Sequence, residues 1–211
     1  MRPFMTLTLK ALGIATIALP ACMSYTALAQ GSVFGEDIVR AARGCAGCIP
    51  KRLAVAPAPF TMEDARTAHP NNSNYRYTVK EEGKPDSVLD MWFKDVTENG
   101  FTHRTQKCLA NGEPDGKAVE TKRNWSDLVR DAEFAEALTT ITDETLTIGG
   151  VAYTCKVYTV KTGNEPTKSK VFWYASERKG MPIKIVHRDG DKDVYTQEML
   201  VYDDGTPKHE R

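Results

Sequence analysis

Neither sign of charge prevails in this chain, in which 28 Lys and Arg residues meet 28 Asp and Glu. The first 29 residues hold Arg2 and Lys10 and no acid, so the remainder carries 26 basic against 28 acidic groups, a net of −2. Nucleic-acid binders concentrate Lys and Arg on one face, and this balance leaves no such footprint. The spacings that carry catalysis are missing as well. The four histidines, His69, His103, His187 and His209, are scattered and form no His-x-x-x-His pair. No Gly-x-Ser-x-Gly elbow and no phosphate-binding glycine loop is present. The Asp-rich turns Asp189-Gly-Asp191 and Asp203-Asp-Gly205 lack the spaced ligands and closing Glu of a calcium loop. The sequence is therefore read as non-catalytic, with no metal, no cofactor and no nucleic-acid partner. No repeat of fixed period appears.

A long hydrophobic run is also lacking, and the short one present reads as an export signal. Arg2 and Lys10 form its positive region, Ala11 to Ala21 its apolar run, and Ala27-Leu28-Ala29 fits the small-residue cleavage pattern. The run is too short to span a membrane comfortably, and Pro20 interrupts it. The expected mature chain starts at Gln30, carries no transmembrane span and is periplasmic or secreted. An alternative reading takes Leu19-Pro20-Ala21-Cys22 as a lipobox, with Cys22 lipidated and the protein membrane-anchored.

What the chain does have is a succession of short runs rich in Val, Ile, Thr and aromatics, divided by Gly, Asp and Asn. From Thr145 to Asp204 this pattern reads as consecutive antiparallel strands, with Gly149-Gly150 supplying the positive φ angles of a tight hairpin. Upstream, Tyr75, Tyr77 and Val79 alternate with Arg76, Thr78 and Lys80. Leu89, Met91 and Phe93 repeat that period of two, with Trp92 on the opposite face. Asn99-Gly100 is a hairpin signal joining this strand to Phe101–Leu109, and a further strand is expected over Lys117–Arg123.

Helical signals are few. Glu36 to Arg43 is one, stopped by Gly44. Thr61-Met-Glu-Asp64 has capping-box spacing and predicts a short helix to about Ala68. Within the strand-rich region the period changes once: Ser126 as N-cap and a stripe of Leu128, Ala132, Ala135 and Leu138 predict a helix over 127–138. Leu53 to Phe60, rich in Ala and Pro, reads as an extended linker. The organisation is thus a signal peptide over 1–29, a helical and linker segment over 30–70, and an antiparallel β domain over 71–205.

These features resemble the lipoprotein-carrier superfamily, the LolA/LolB-like proteins. The residues that carry the resemblance are Ile148-Gly-Gly-Val-Ala-Tyr-Thr-Cys155-Lys-Val-Tyr158, Val171-Phe-Trp173-Tyr-Ala-Ser176 and Gly180-Met-Pro-Ile-Lys-Ile185, which are similar to exported bacterial proteins of that type. The resemblance implies a mainly β fold of the α+β kind: a curved antiparallel sheet, or half-barrel, with a few helices packed over one face. It also implies an apolar concave face that holds acyl chains. The candidate pocket residues are Leu89, Met91, Phe93, Tyr153, Val157 and Trp173. The leading expectation is an envelope protein binding a lipid or acyl group there. The alternative is a structural or protein-interaction module of the envelope whose core is filled.

One feature departs from the carriers. Four cysteines follow the expected cleavage site: Cys45, Cys48, Cys108 and Cys155. An even number in an exported chain points to disulfides. Cys45-Ala-Gly-Cys48 is not a haem attachment motif, because Ile49 stands where His is required. A local Cys45–Cys48 bridge and a staple from either one to Cys155 are both open, with Cys155 expected to be buried more deeply than Cys108. A redox protein built on the Cys-x-x-Cys pair is the most distant of the functional readings.

Overall fold

The structure, a computed structural model, describes residues 54–162, 165 and 167–205. Cys22, Cys45, Cys48, the signal region and the expected helix over 36–43 lie outside these residues. The described chain is mainly β, as the sequence implies: a curved, open antiparallel sheet of nine strands with two short α-helices. The strands are β1 (Ser73–Glu81), β2 (Ser87–Lys94), β3 (Gly100–Leu109), β4 (Val119–Asn124), β5 (Thr139–Ile148), β6 (Val151–Lys161), β7 (Lys168–Ala175), β8 (Lys184–Asp189) and β9 (Lys192–Asp203). The helices are α1 (Met62–Ala68) and α2 (Trp125–Asp131), and a 3-10 turn covers Glu136–Leu138.

The strand order is β4-β3-β2-β1-β9-β8-β7-β6-β5. Two meanders are therefore stitched together by one long-range pairing, β1 against β9. That ladder breaks register between Arg76 and Tyr77, where Arg76 lies opposite Val201 and Tyr77 opposite Met199. A bulge of this kind bends the strand and increases its twist.

Local chemistry explains the element ends. Thr61 accepts the Asp64 amide at 3.1 Å and Asp64 accepts the Thr61 amide at 2.9 Å, so α1 opens on the reciprocal cap its sequence predicts. Gly149 and Gly150 take φ of 57° and 82°, the left-handed pair needed for a two-residue hairpin between β5 and β6.

Two expectations hold only in part. The hairpin from β2 to β3 forms, but Asn99-Gly100 does not supply a two-residue turn: β2 ends at Lys94, Asp95 carries the positive φ, and Gly100 already belongs to β3. Gly100 is needed for close approach instead, because a Cβ there would lie 2.2 Å from the Arg123 carbonyl oxygen on β4. The expected helix over 127–138 is shorter and starts earlier, capped by Asn124 and Asp127 rather than by Ser126. After Asp131 the chain leaves the helix, is extended at Ala135 where it meets the linker, and closes in the 3-10 turn over Glu136–Leu138. Ala56 N–H donates to the Phe134 carbonyl and Glu136 N–H to the Ala54 carbonyl, both at 2.8 Å, around a Val55–Ala135 bridge.

The core lies between the helices and one face of the sheet. Phe60, Ala65, Tyr75, Tyr77, Phe93, Phe101, Trp125, Leu128, Phe134, Tyr158, Phe172 and Tyr174 are all buried there. Each such aromatic removes a large apolar area from water, worth about 2–3 kcal/mol.

Candidate binding surfaces

The six residues expected to line one pocket do not share a face. Side chains directly opposite one another in a ladder point to the same side of a sheet. Phe93, Met91 and Leu89 stand opposite Ser73, Tyr75 and Tyr77 of β1, and Tyr75 and Tyr77 stand opposite Tyr202 and Met199 of β9. That side continues through Gln197, Ile185, Phe172 and Tyr158. It is the side the helices cover.

The other three lie on the reverse side. Val157 stands opposite Trp173, Trp173 opposite Lys184, and Lys184 opposite Glu198, which faces Thr78 on β1. Tyr153, two residues along from Cys155 and four from Val157 on β6, belongs to that side too. The sequence shows each strand's alternation but not which face of one strand meets which face of another. The register across β1 and β9 decides that, and it joins residues more than a hundred positions apart.

On the helix-covered side the space is taken. Trp125 donates its indole N–H to the Thr97 carbonyl at 3.0 Å and packs on Phe101 with centroids 4.5 Å apart. Phe134 lies over Tyr158 and Phe172 at 5.6 and 5.0 Å. Phe60 meets Tyr174 at 5.8 Å, and the Tyr158 hydroxyl donates to the Pro57 carbonyl at 2.8 Å. The linker over 54–60, expected only to span a gap, thus supplies part of the cover. Leu89 and Met91 are half-buried at the margin of this cluster, and Phe93 is fully buried within it.

A polar group is enclosed in the same cluster. His69 ends α1, is completely buried and stacks on Phe93. Neither of its ring nitrogens has a hydrogen-bond partner among the described residues, and burial pushes its pKa down to about 3. Ser73 Oγ, Tyr75 OH and His103 Nε2 are likewise buried without partners among the described residues.

On the reverse side Trp173 is buried beneath charge. Its indole N–H donates to Glu144 Oε2 at 3.1 Å, and Lys184 Nζ lies 5.6 Å from the ring centroid. Cys108 and Cys155 are both free thiols; Cys155 is buried as expected, and Cys108 is buried as well. No bridge joins them, and six strand steps separate β3 from β6 in the sheet order. Cys108 packs against the carboxylate of Asp90, which Arg76 holds bidentately at 2.7 Å.

The two ends of the sheet differ. β4 is short and carries Lys122 and Arg123, features that discourage strand addition. β5 is ten residues long, pairs with β6 in unbroken register from Thr139 to Ile148, and contains neither Lys nor Pro. Among the described residues it pairs with no other strand.

The sequence matches no protein-family model and no curated protein. Among solved structures, the chain is similar to one described as "Crystal structure of MucB", with 12% identity, a TM-score of 0.47, and coverage of 70% of this chain and 58% of that one. It is also similar to a chain in "The complex structure of Pseudomonas aeruginosa MucA/MucB", with 10% identity, a TM-score of 0.45, and coverage of 67% and 55%. A further structure of MucB with MucA(peri) aligns at 12% identity and a TM-score of 0.45 over 71% and 57%. This chain therefore spans less than two thirds of the length of each.

Proposed function

We propose that the protein is an exported, non-catalytic interaction module that receives an extended segment of a partner protein along the edge of β5 that no described strand covers. The observation that supports this reading is the asymmetry of the sheet's two edges. A row of unpaired backbone N–H and C=O groups is a template for another strand, and most edges are blunted by Lys, Pro, bulges or brevity. β4 is six residues long and carries Lys122, whereas β5 is ten residues long and its two charges, Asp143 and Glu144, are engaged by Lys156 and Trp173 of its own sheet. Its five threonines, at 139, 140, 142, 145 and 147, favour the extended backbone while keeping the edge soluble. Strand addition takes affinity from main-chain hydrogen bonds and specificity from alternate side chains.

Occupation of the helix-covered side by Phe60, Trp125 and Phe134 favours this reading over carriage of a lipid or acyl group. The test is site-specific photocrosslinking in the natural host. A photoreactive residue at Thr142 is expected to trap a discrete protein adduct, whereas one at Thr121 on β4 gives none, and Lys at position 140 abolishes the adduct. Equal crosslinking from both edges, or from neither, would remove β5 as the docking edge.

A further inference from the structure

On the reverse face of the sheet, where β2, β1 and β9 meet, a bowl of about 430 Å³ is lined by Asn72, Asn74, Arg76, Trp92, Val201, Asp203 and Gly205. Its volume lies in the range of small-molecule sites. The bowl sits at the bulge where the β1–β9 register breaks, and bulges are often placed where a strand must re-aim a side chain. There Leu200 and Val201 are both about half exposed, so two successive side chains reach solvent. Gly205 shapes one wall by packing against the backbone of Asn71 and Asn72, where a Cβ would lie 2.7 Å from the Asn71 carbonyl oxygen.

The lining is chemically mixed. Trp92 offers an indole surface whose orientation is held by the Arg104 guanidinium, 5.1 Å from the ring centroid. Arg104 in turn meets Glu120 at 3.8 Å. Arg76 spends two of its five N–H groups on Asp90, and its half-exposed side chain keeps the rest for the bowl. Asn74 donates one amide N–H to the Met91 carbonyl at 3.3 Å and retains a second donor and an acceptor. The Asp203 carboxylate, which accepts the Gly205 amide at 3.1 Å, adds acceptor capacity.

Arg76, the cation of the lining, is paired with Asp90, so the bowl offers no unpaired cation to hold an anion. It combines a flat aromatic surface with planar donors and acceptors at its rim. A pyranose ring is the complementary ligand. One of its faces presents C–H groups that pack on an indole, and the hydroxyls around its edge both donate and accept. We propose that this bowl is a binding site for a neutral mono- or disaccharide, with Trp92 as the platform and Arg76, Asn74 and Asp203 as the hydrogen-bonding rim. The site lies on strands remote from β5 in the sheet order and is independent of partner binding there.

The experiment is a titration of the full chain, followed by the indole and side-chain amide signals in nitrogen–proton correlation spectra. The probes are disaccharides of N-acetylglucosamine, glucose, galactose and mannose, with inorganic phosphate and glucuronic acid as anionic controls. At least one neutral sugar is expected to give saturable shifts at the Trp92 indole and Asn74 amide, with a Kd of about 1 mM, as suits a shallow open site. Trp92→Ala weakens that binding at least tenfold with an unchanged fold by circular dichroism, and Thr142→Lys leaves it intact. The proposal is overturned if none of the four sugars saturates, if an anion produces the larger shift, or if Trp92→Ala binds as well as the parent chain.

Discussion

His69 lies flat on Phe93, with ring centroids 3.9 Å apart and planes within 3° of parallel. The stack fixes the end of α1 against β2 and places an ionisable ring where no water reaches it. Burial holds its pKa near 3, against about 6.5 in the unfolded chain. Between those values the unfolded state binds a proton that the folded state does not. Stability is therefore complete above about pH 6.5 and declines as pH falls toward 3, by up to about 1.4 kcal/mol per pH unit for this group. His103 and His187, both pushed down to about 4 by burial, add to the same slope. Urea denaturation at pH 7.5 and pH 4.5 should show the loss. His69→Phe, which keeps the stack and removes the charge, should flatten it. An unchanged slope in His69→Phe would mean that His69 is not the buried group.

The aromatic filling should be energetically uneven. Trp125 is 1% exposed, with its indole N–H satisfied, so Trp125→Ala should cost about 3–5 kcal/mol. Trp173, 6% exposed and touched by Glu144 and Lys184, should cost about 3 kcal/mol. Trp92→Ala, on the half-buried rim of the bowl, should cost less than about 1 kcal/mol. Thermal denaturation of the three variants gives the ranking directly.

Gly100→Ala tests why that glycine is there. A methyl group 2.2 Å from the Arg123 carbonyl oxygen cannot be accommodated without moving β4 away from β3. Hydrogen exchange of the β4 amides should accelerate while that of β6 to β8 is unchanged. A substitution acting only through turn geometry would leave β4 protected.

Much of the fold was legible because its signals are local. The Thr61–Asp64 cap, the Gly149-Gly150 turn and the alternation in β1 and β2 each depend on residues a few positions apart. Asn99-Gly100 misleads because a glycine required for backbone contact with Arg123 has the same letters as one required for positive φ. The second half of the helix over 127–138 was overruled by Val55, some eighty residues upstream, through the bridge to Ala135. The site was less legible for the same reason. Nothing local to Leu89 or to Trp173 reveals that they point to opposite sides of one sheet. Trp92, recognisably out of phase with its apolar neighbours, was the trace that the bowl left in the sequence.

The two thiols in the sheet should be inert in the native protein. Burial pushes Cys155 up to about 11, helped by Glu177 and Glu144, and burial together with Asp90 raises Cys108. Little thiolate is therefore present at neutral pH. Maleimide labelling followed by peptide mapping should modify neither residue in buffer and both in guanidinium. Rapid native labelling of Cys155 would place it at the surface.

Native mass spectrometry of the chain purified from its natural host tests at once the filling of the helix-covered face and docking at the β5 edge. The predicted spectrum shows a stoichiometric protein partner, lost in the Thr142→Lys variant, and no lipid-sized mass on the free chain. A monomer retaining a lipid-sized mass, with no partner that responds to position 142, would contradict it.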